Sequence, residues 1–263
     1  MSRFILTLLG SLLLAVPCIA LVDPAEVGMD AAKLREIQPR MQKLADEHKI
    51  AGAVTLVARK GRIVSVQAAG CANLEKQTPM RDDSLFWIAS MTKPITALAV
   101  MMLQDEGRLS IDDPVEKHLP EFKGQMLVSE TSAQKTVLVK PARAITIKDL
   151  LTHTSGLVGK SPLDKEALDQ LTLREAVLTY ALSPLQFEPG SKWSYCNPGI
   201  TTLGRIVEVV SGTPFATFMD RRIFRPLGMK DTAFSVAEKK GPLLRPDGRH
   251  LDAPAPPLKK YRR

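Results

Sequence analysis

The apolar positions of the chain change period several times, and each change marks an element. Leu34, Ile37, Met41 and Leu44, closed by His48, recur at three and four residues behind Asp30, which predicts a capped amphipathic helix kinked by Pro39. Ala53 to Ala58 and Ile63 to Ala68 then read as strands around Arg59-Lys60-Gly61-Arg62, a β-hairpin with Gly61 in its turn. Alternation places Val54, Leu56 and Ala58 on one face, which needs a helix behind it and further strands beside it. An extended run, Leu85-Phe86-Trp87-Ile88, leads into the most apolar helix. There Ile95, Leu98, Ala99, Met102 and Leu103 keep helical spacing while Ala97, Val100 and Met101 fill the other faces, so this helix should be buried nearly all round and end at Gly107.

Downstream the pattern is mainly helical. Asp112-Asp113-Pro114 opens a short helical piece, and Ile145 to Leu151 reads as a helix entered through Thr146. The polar stretch Gln125 to Lys140 between them offers only a short strand at Val137-Leu138-Val139. Phe187-Glu188-Pro189-Gly190 is a turn. After Trp193 to Gly199 comes a helix with Leu203, Ile206, Val207 and Val210 inward, stopped at Gly212, and Thr213-Pro214 opens another with Phe215, Phe218 and Met219 on its core face. There are no internal repeats.

At 263 residues, 44% hydrophobic and 24% charged, the chain is long enough for one large domain or a domain with an inserted helical part. Its start departs from that average. Arg3 precedes the apolar run Phe4 to Ala20, the pattern of a secretory signal peptide cleaved after Ala20, with an uncleaved anchor as the alternative. The expectation is a periplasmic or secreted protein with no stable membrane span once the signal is removed. Cys71 and Cys196 then remain, too few for a disulfide framework; they read as two lone thiols, although a single bridge stays open.

The formal charge of +8 is concentrated at the other end, where residues 239–263 hold eight Lys/Arg against two Asp and leave the 21–238 body nearly neutral. Five prolines, one late aromatic at Tyr261 and no apolar period make this a basic, disordered tail that gives no support to nucleic-acid binding.

The candidate chemistry lies at the head of the apolar helix, in Ala89-Ser90-Met91-Thr92-Lys93-Pro94. A serine and a lysine three residues apart share one face about one turn apart. Pro94 disfavours a helical Lys93, so Ser90 to Lys93 should form a tight first turn, and in a 3₁₀-like turn positions i and i+3 eclipse. The helix start favours negative charge, which suits both an oxyanion and a lysine of lowered basicity. Rival sites fall away. There is no G-x-S-x-G, the four His lie in no metal spacing, and no C-x-x-C or H-E-x-x-H occurs, so neither metal nor cofactor is expected. Thr154 to Ser161 approaches a phosphate-binding loop, but it has Thr where the first Gly belongs, follows a helix and precedes Pro162. His153 is a possible base for Ser90, yet no orienting acid stands at a recognisable spacing, and closure of the preceding helix explains it better.

Ala89-Ser90-Met91-Thr92-Lys93, Leu151-Thr152-His153-Thr154-Ser155-Gly156-Leu157, Glu188-Pro189-Gly190, Tyr195-Cys196-Asn197 and Pro226-Leu227-Gly228-Met229 occur in an order that resembles the serine beta-lactamase and penicillin-binding superfamily. The likeness is strongest to its class C beta-lactamase and related esterase branch and covers roughly residues 25 to 240. It implies an α/β fold of α+β type, beta-lactamase/transpeptidase-like, with an antiparallel sheet flanked by helices and a helical subdomain. It also implies Ser90 as the acylated nucleophile, Lys93 as the amine that helps deprotonate it, Tyr195 as a phenolate-like base, and Asn197 as a hydrogen-bond partner of Lys93 and of substrate. The departure is after Asn197. The family's third motif, K-T-G or H-x-G on a strand, has no counterpart, because Pro242 and Pro246 exclude a central strand at Lys239-Lys240-Gly241. The resemblance therefore implies a 21–238 hydrolase domain that is incomplete, its C-terminal strands missing as in a truncated gene. Two functions follow: an exported serine hydrolase acting on beta-lactams, small esters or D-alanyl peptides, or a truncated, non-catalytic relative that holds a ligand or partner.

Overall fold

A computed structural model describes residues 21–159 and 171–234. The signal peptide read at residues 1–20 and the tail read at 239–263 lie outside the described residues, as do Lys160 and Ser161. Internal contacts divide the described chain into two units, residues 21–87 and 88–234.

In the first unit Asp30 caps helix α1, Ala31–Arg35, its carboxylate accepting from the Ala32 and Lys33 N–H groups. Helix α2, Ile37–Asp46, follows after a break at Glu36. The kink attributed to Pro39 therefore falls three residues earlier, because Pro39 occupies the first turn of α2, where its missing N–H would have had no partner. Strands β1, Gly52–Arg59, and β2, Arg62–Asn73, pair antiparallel from Gly52↔Gly70 to Arg59↔Arg62. Lys60 and Gly61 between them both have positive φ (54° and 71°), the requirement of the tight turn that matches strand twist. Strand β3, Thr78–Pro79, extends the sheet in the order β1-β2-β3.

The inward face of the hairpin is not the one the alternation suggested. Leu56 and Ala58 are exposed, while Val57 packs on the small core of Val27, Leu34 and Val64. Both faces of β1 carry apolar residues, so period two marked a strand without choosing its side, and a register shift between Val57 and Ala58 adds to the ambiguity. Gly70 (φ 72°) lets α2 come close: an added Cβ would lie 2.9 Å from Ala45 Cβ and 2.8 Å from Gly52 Cα, and the Gly70 N–H donates to Gln42 Oε1 at 3.0 Å.

The second unit is mostly helical. No strand forms at Leu85–Ile88; Phe86 is a single bridge residue and Ile88 is already helical (φ −77°, ψ −5°). A 3₁₀ turn, Ala89–Met91, runs directly into α3, Thr92–Asp105, and Gly107 (φ 68°) closes it by donating to the Gln104 carbonyl. Only one face of α3 is fully buried, through Thr96, Ala99, Val100 and Leu103, and Leu98 is 45% exposed, so the apolar residues around the helix do not all reach the core.

Next come α4, Val115–His118, and a two-stranded ribbon of β4, Leu127–Thr131, with β5, Thr136–Val139. Of the ribbon only β5 was signalled by its residues. Helix α5, Ile147–Leu151, has a capping box in which Thr146 and Asp149 satisfy each other's backbone N–H. Thr172 and Glu175 form the same device at α6, Leu173–Ala181. Helix α7, Asn197–Ser211, ends at Gly212 (φ 68°) and buries Leu203, Ile206 and Val207 completely in contact with α3, α5 and α6. Each such side chain contributes about 1.5–3 kcal/mol by leaving water. Helix α8, Phe215–Met219, completes the core with Phe215, Phe218 and Met219.

Candidate active site

Packing of α3 against α7 brings the head of one helix beside the segment that enters the other. Ser90 lies within the 3₁₀ turn and Lys93 in the first turn of α3, and Lys93 Nζ donates to Ser90 Oγ at 3.1 Å. The eclipsed i, i+3 geometry of that turn accounts for the short reach. Ala89 enters it with φ 44°, a left-handed conformation that costs a side-chain-bearing residue about 1–2 kcal/mol.

Tyr195 arrives from irregular chain just before α7, and its hydroxyl donates to Ser90 Oγ at 2.6 Å. Lys93 Nζ stands 4.6 Å from the centre of the Tyr195 ring. Hydrogen bonding with Lys93, then with Ser90, holds the Tyr195 phenol below its ordinary pKa of 10.0 despite some desolvation. Three of the four site residues read from the sequence thus meet at one point, which is open to solvent with Tyr195 47% exposed. The fourth differs. Asn197 is an exposed first residue of α7, and among the described residues its side chain makes no hydrogen bond to Lys93, whose amine reaches Ser90 instead.

Among the described residues His153 makes no hydrogen bond to Ser90. It follows α5 with φ 60°, and its Nδ1 accepts the Cys196 N–H at 3.2 Å while its carbonyl accepts the Ser194 N–H at 2.9 Å. Its ring lies 4.8 Å from that of Tyr195, tilted by 37°, and Trp193 meets it edge-on at 6.2 Å. Burial, reinforced by the charge of Lys93, pushes the imidazole below its usual pKa.

The α5 corner is itself tied down. Asp149, buried beneath Arg143, receives two guanidinium bonds of 2.5 and 2.9 Å, the Thr146 N–H at 2.9 Å and the Thr154 hydroxyl at 3.2 Å. Burial alone would raise its pKa, but these donors, Arg143 first, bring it below the normal carboxylate value. Gly156 (φ 78°) follows, where any Cβ would run into the Phe187 carbonyl, and the Gln186 N–H donates to the Gly156 carbonyl at 2.7 Å. Cys196 is buried and its thiol pushed up by desolvation; it and Cys71 are both free.

The family described as Beta-lactamase matches residues 35–259. The chain belongs to this family. Esterase EstB of Burkholderia gladioli is 38% identical over 232 residues, which is 83% of this chain and 56% of the relative. Penicillin-binding protein 4* of Bacillus subtilis is 31% identical over 216 residues, 78% of this chain and 42% of the relative. Among solved structures, EstCE1, a hydrolase with promiscuous acyltransferase activity, superposes with a TM-score of 0.64 at 32% identity, covering 74% of this chain and 51% of that one. The chain spans about half the length of the curated relatives it matches. Its fold is that of the family, mixed helix and antiparallel sheet of beta-lactamase/transpeptidase type.

Among the described residues no group of three or more His, Cys, Asp or Glu could hold a metal ion, and no helix is long and apolar enough to cross a membrane. What the residues of the family site left unread is the clamp at His153 and the Arg143–Asp149 pair beneath it. The Thr146-x-x-Asp149 spacing and the string ending in Gly156 carried part of that signal.

Proposed function

We propose that the chain is an acyl-transferring serine hydrolase that works through an acyl-Ser90 intermediate, with small esters as its first substrate class and beta-lactams or D-alanyl peptides as alternatives within the same chemistry. The observation that carries this reading is the convergence of Tyr195 Oη (2.6 Å) and Lys93 Nζ (3.1 Å) on Ser90 Oγ. When Tyr195 ionises, its bond to Ser90 reverses, and the serine hydroxyl donates to the phenolate. The Ser90 proton passes to Tyr195 as Oγ bonds to the carbonyl carbon and the C=O π pair moves onto oxygen; Tyr195 then gives that proton to the leaving alkoxide as the carbonyl re-forms and the alkoxide's bond to that carbon breaks. Water then gives a proton to Tyr195 as its oxygen attacks the acyl carbon, and Tyr195 returns that proton to Ser90 Oγ as the Oγ–carbon bond breaks and the acid is released. The helical run from Ala89 to Asp105 presents its positive end to the developing negative charge. Asn197, exposed two residues from Tyr195, would donate a hydrogen bond to a substrate carbonyl or accept one from a substrate amide, and the apolar N-terminal run supports export to the periplasm or medium. The esterase and hydrolase names of the relatives favour esters.

A second reading is a relative that holds a ligand or partner without turnover. One experiment separates them. A fluorophosphonate probe should label the protein once per chain, and a chromogenic ester should show a burst followed by steady turnover, both lost in Ser90→Ala. A burst without turnover selects the second reading, and equal labelling of Ser90→Ala overturns both.

A further inference from the structure

Tyr195 stands on chain with no regular structure, and both N–H groups flanking it are taken by one residue. The Ser194 N–H goes to the His153 carbonyl at 2.9 Å and the Cys196 N–H to His153 Nδ1 at 3.2 Å. The side chain thus continues what the backbone begins, and the segment is held as a strand would be by a neighbour, with the tyrosine between the two bonds. The imidazole also lies against the phenol ring, 4.8 Å between centres, which limits the ring's swing away from Ser90. We propose that His153 is the positioning residue for Tyr195, acting as a neutral imidazole whose unprotonated Nδ1 fixes the backbone that aims the phenol at Ser90. This rests on the base role given to Tyr195 above.

The tautomer follows from the bond: an acceptor at Nδ1 leaves the ring proton on Nε2. Protonation at Nδ1 abolishes the acceptor, so an imidazolium would release the Cys196 N–H and loosen the tyrosine. The surroundings keep that from happening near neutral pH. Lys93 faces the ring from the head of α3 and the Tyr195 phenol faces it from the segment before α7, while the Cys196 thiol turns to the Leu157 and Val158 carbonyls; on its own corner the Asp149 carboxylate is engaged by Arg143, Thr146 and Thr154. Lys192, further along the Tyr195 segment, sits over the Phe187 ring. Burial and Lys93 both lower the His153 pKa from 6.5. Below that lowered value the clamp opens, in addition to the protonation of Tyr195 itself.

The test uses the full chain and a chromogenic acetate ester, with two variants that tolerate the left-handed backbone at position 153. His153→Gly removes ring and acceptor, whereas His153→Asn offers an amide oxygen close to the place of Nδ1. His153→Gly should lower kcat about 10²-fold with KM unchanged, the cost of a mispositioned base. His153→Asn should regain most of that rate. In a plot of log kcat/KM against pH, the wild type should fall with slope one as Tyr195 protonates and with slope two at lower pH, and His153→Asn should keep slope one throughout. A folded His153→Gly with wild-type kcat, or a two-step acid limb retained in His153→Asn, overturns the proposal; if His153→Gly does not fold, the profile of His153→Asn decides alone. Tyr195→Phe run in parallel separates the two claims, since wild-type turnover in that variant refutes the base role, and its loss beside unaffected His153 variants refutes only the positioning role.

Discussion

Ser90 and Lys93 are held differently from Tyr195, although all three meet within about 3 Å of one oxygen. The first two stand on consecutive turns of a continuous 3₁₀–α run whose far side is buried through Ala99, Val100 and Leu103, so their spacing is set by the helix itself. Tyr195 has no such frame. It depends on a corner earlier in the chain, where His153 grips the segment across a separation of 43 residues and Asp149 anchors the corner through Arg143 and Thr154. Ser90 is therefore placed by local structure and Tyr195 by tertiary structure, and the second arrangement should be the easier to damage from a distance.

The largest effects test the shared centre. Lys93→Ala and Tyr195→Phe should each reduce ester turnover about 10²–10⁴-fold without loss of fold, as read by steady-state kinetics beside circular dichroism. If only one of them mattered, the two halves of the site would not share one proton path. Turnover should also rise with pH as Tyr195 ionises, and the rise should be centred below the free phenol value near 10 because Lys93 and Ser90 lower it. Lys93→Ala should shift any remaining rise to higher pH.

The next effect separates the two regions. Asp149→Ala strips the Arg143 pair and the Thr146 cap bond, and should cost about 3 kcal/mol in urea unfolding while also lowering turnover through Tyr195. Thr172→Ala at the α6 capping box, remote from the corner, should cost about 1 kcal/mol and leave turnover of the folded protein unchanged. Equal loss of turnover in both variants would erase the distinction between a locally and a distantly supported half.

The smallest effect concerns acid stability away from the site. Burial opposes ionisation of Asp113, but Lys117, the Ser110 N–H and His118 outweigh it and bring its pKa to about 2. The folded value lies below the unfolded one near 3.9, so this contribution is fully present above pH ~4 and is lost as pH falls through about 2. Asp113→Asn should flatten the acid side of the stability curve over that window. An unchanged curve would show that the carboxylate adds nothing there.

The helices with one apolar stripe were legible from spacing: α7 with Leu203, Ile206 and Val207 inward and Gly212 at its end, and the hairpin with Gly61 in its turn. So was the meeting of Ser90 and Lys93, because three residues of helix decide it. Residues with apolar neighbours on every side misled, as at Leu98 and Leu56, since periodicity reports that a face is apolar and only packing decides which apolar face is covered. Strand β4 gave no signal because Leu127 to Thr131 draws its partners from Thr136 to Val139 and Leu185, not from its own pattern. His153 was legible as the end of a helix, and its φ of 60° agrees. Its second task was hidden, because a side-chain acceptor 43 residues from its donor has no local spacing to betray it.

Trp193 turns the same corner into an optical probe. The chain has two tryptophans, and the indole of Trp193 is 63% exposed with the His153 ring edge-on to it at 6.2 Å. An imidazolium quenches indole emission by accepting an electron from the excited ring, whereas the neutral imidazole does so weakly. In a Trp87→Phe background the emission intensity would therefore follow the charge on His153 directly, without substrate and without turnover, so the protonation of one side chain could be watched in the resting protein.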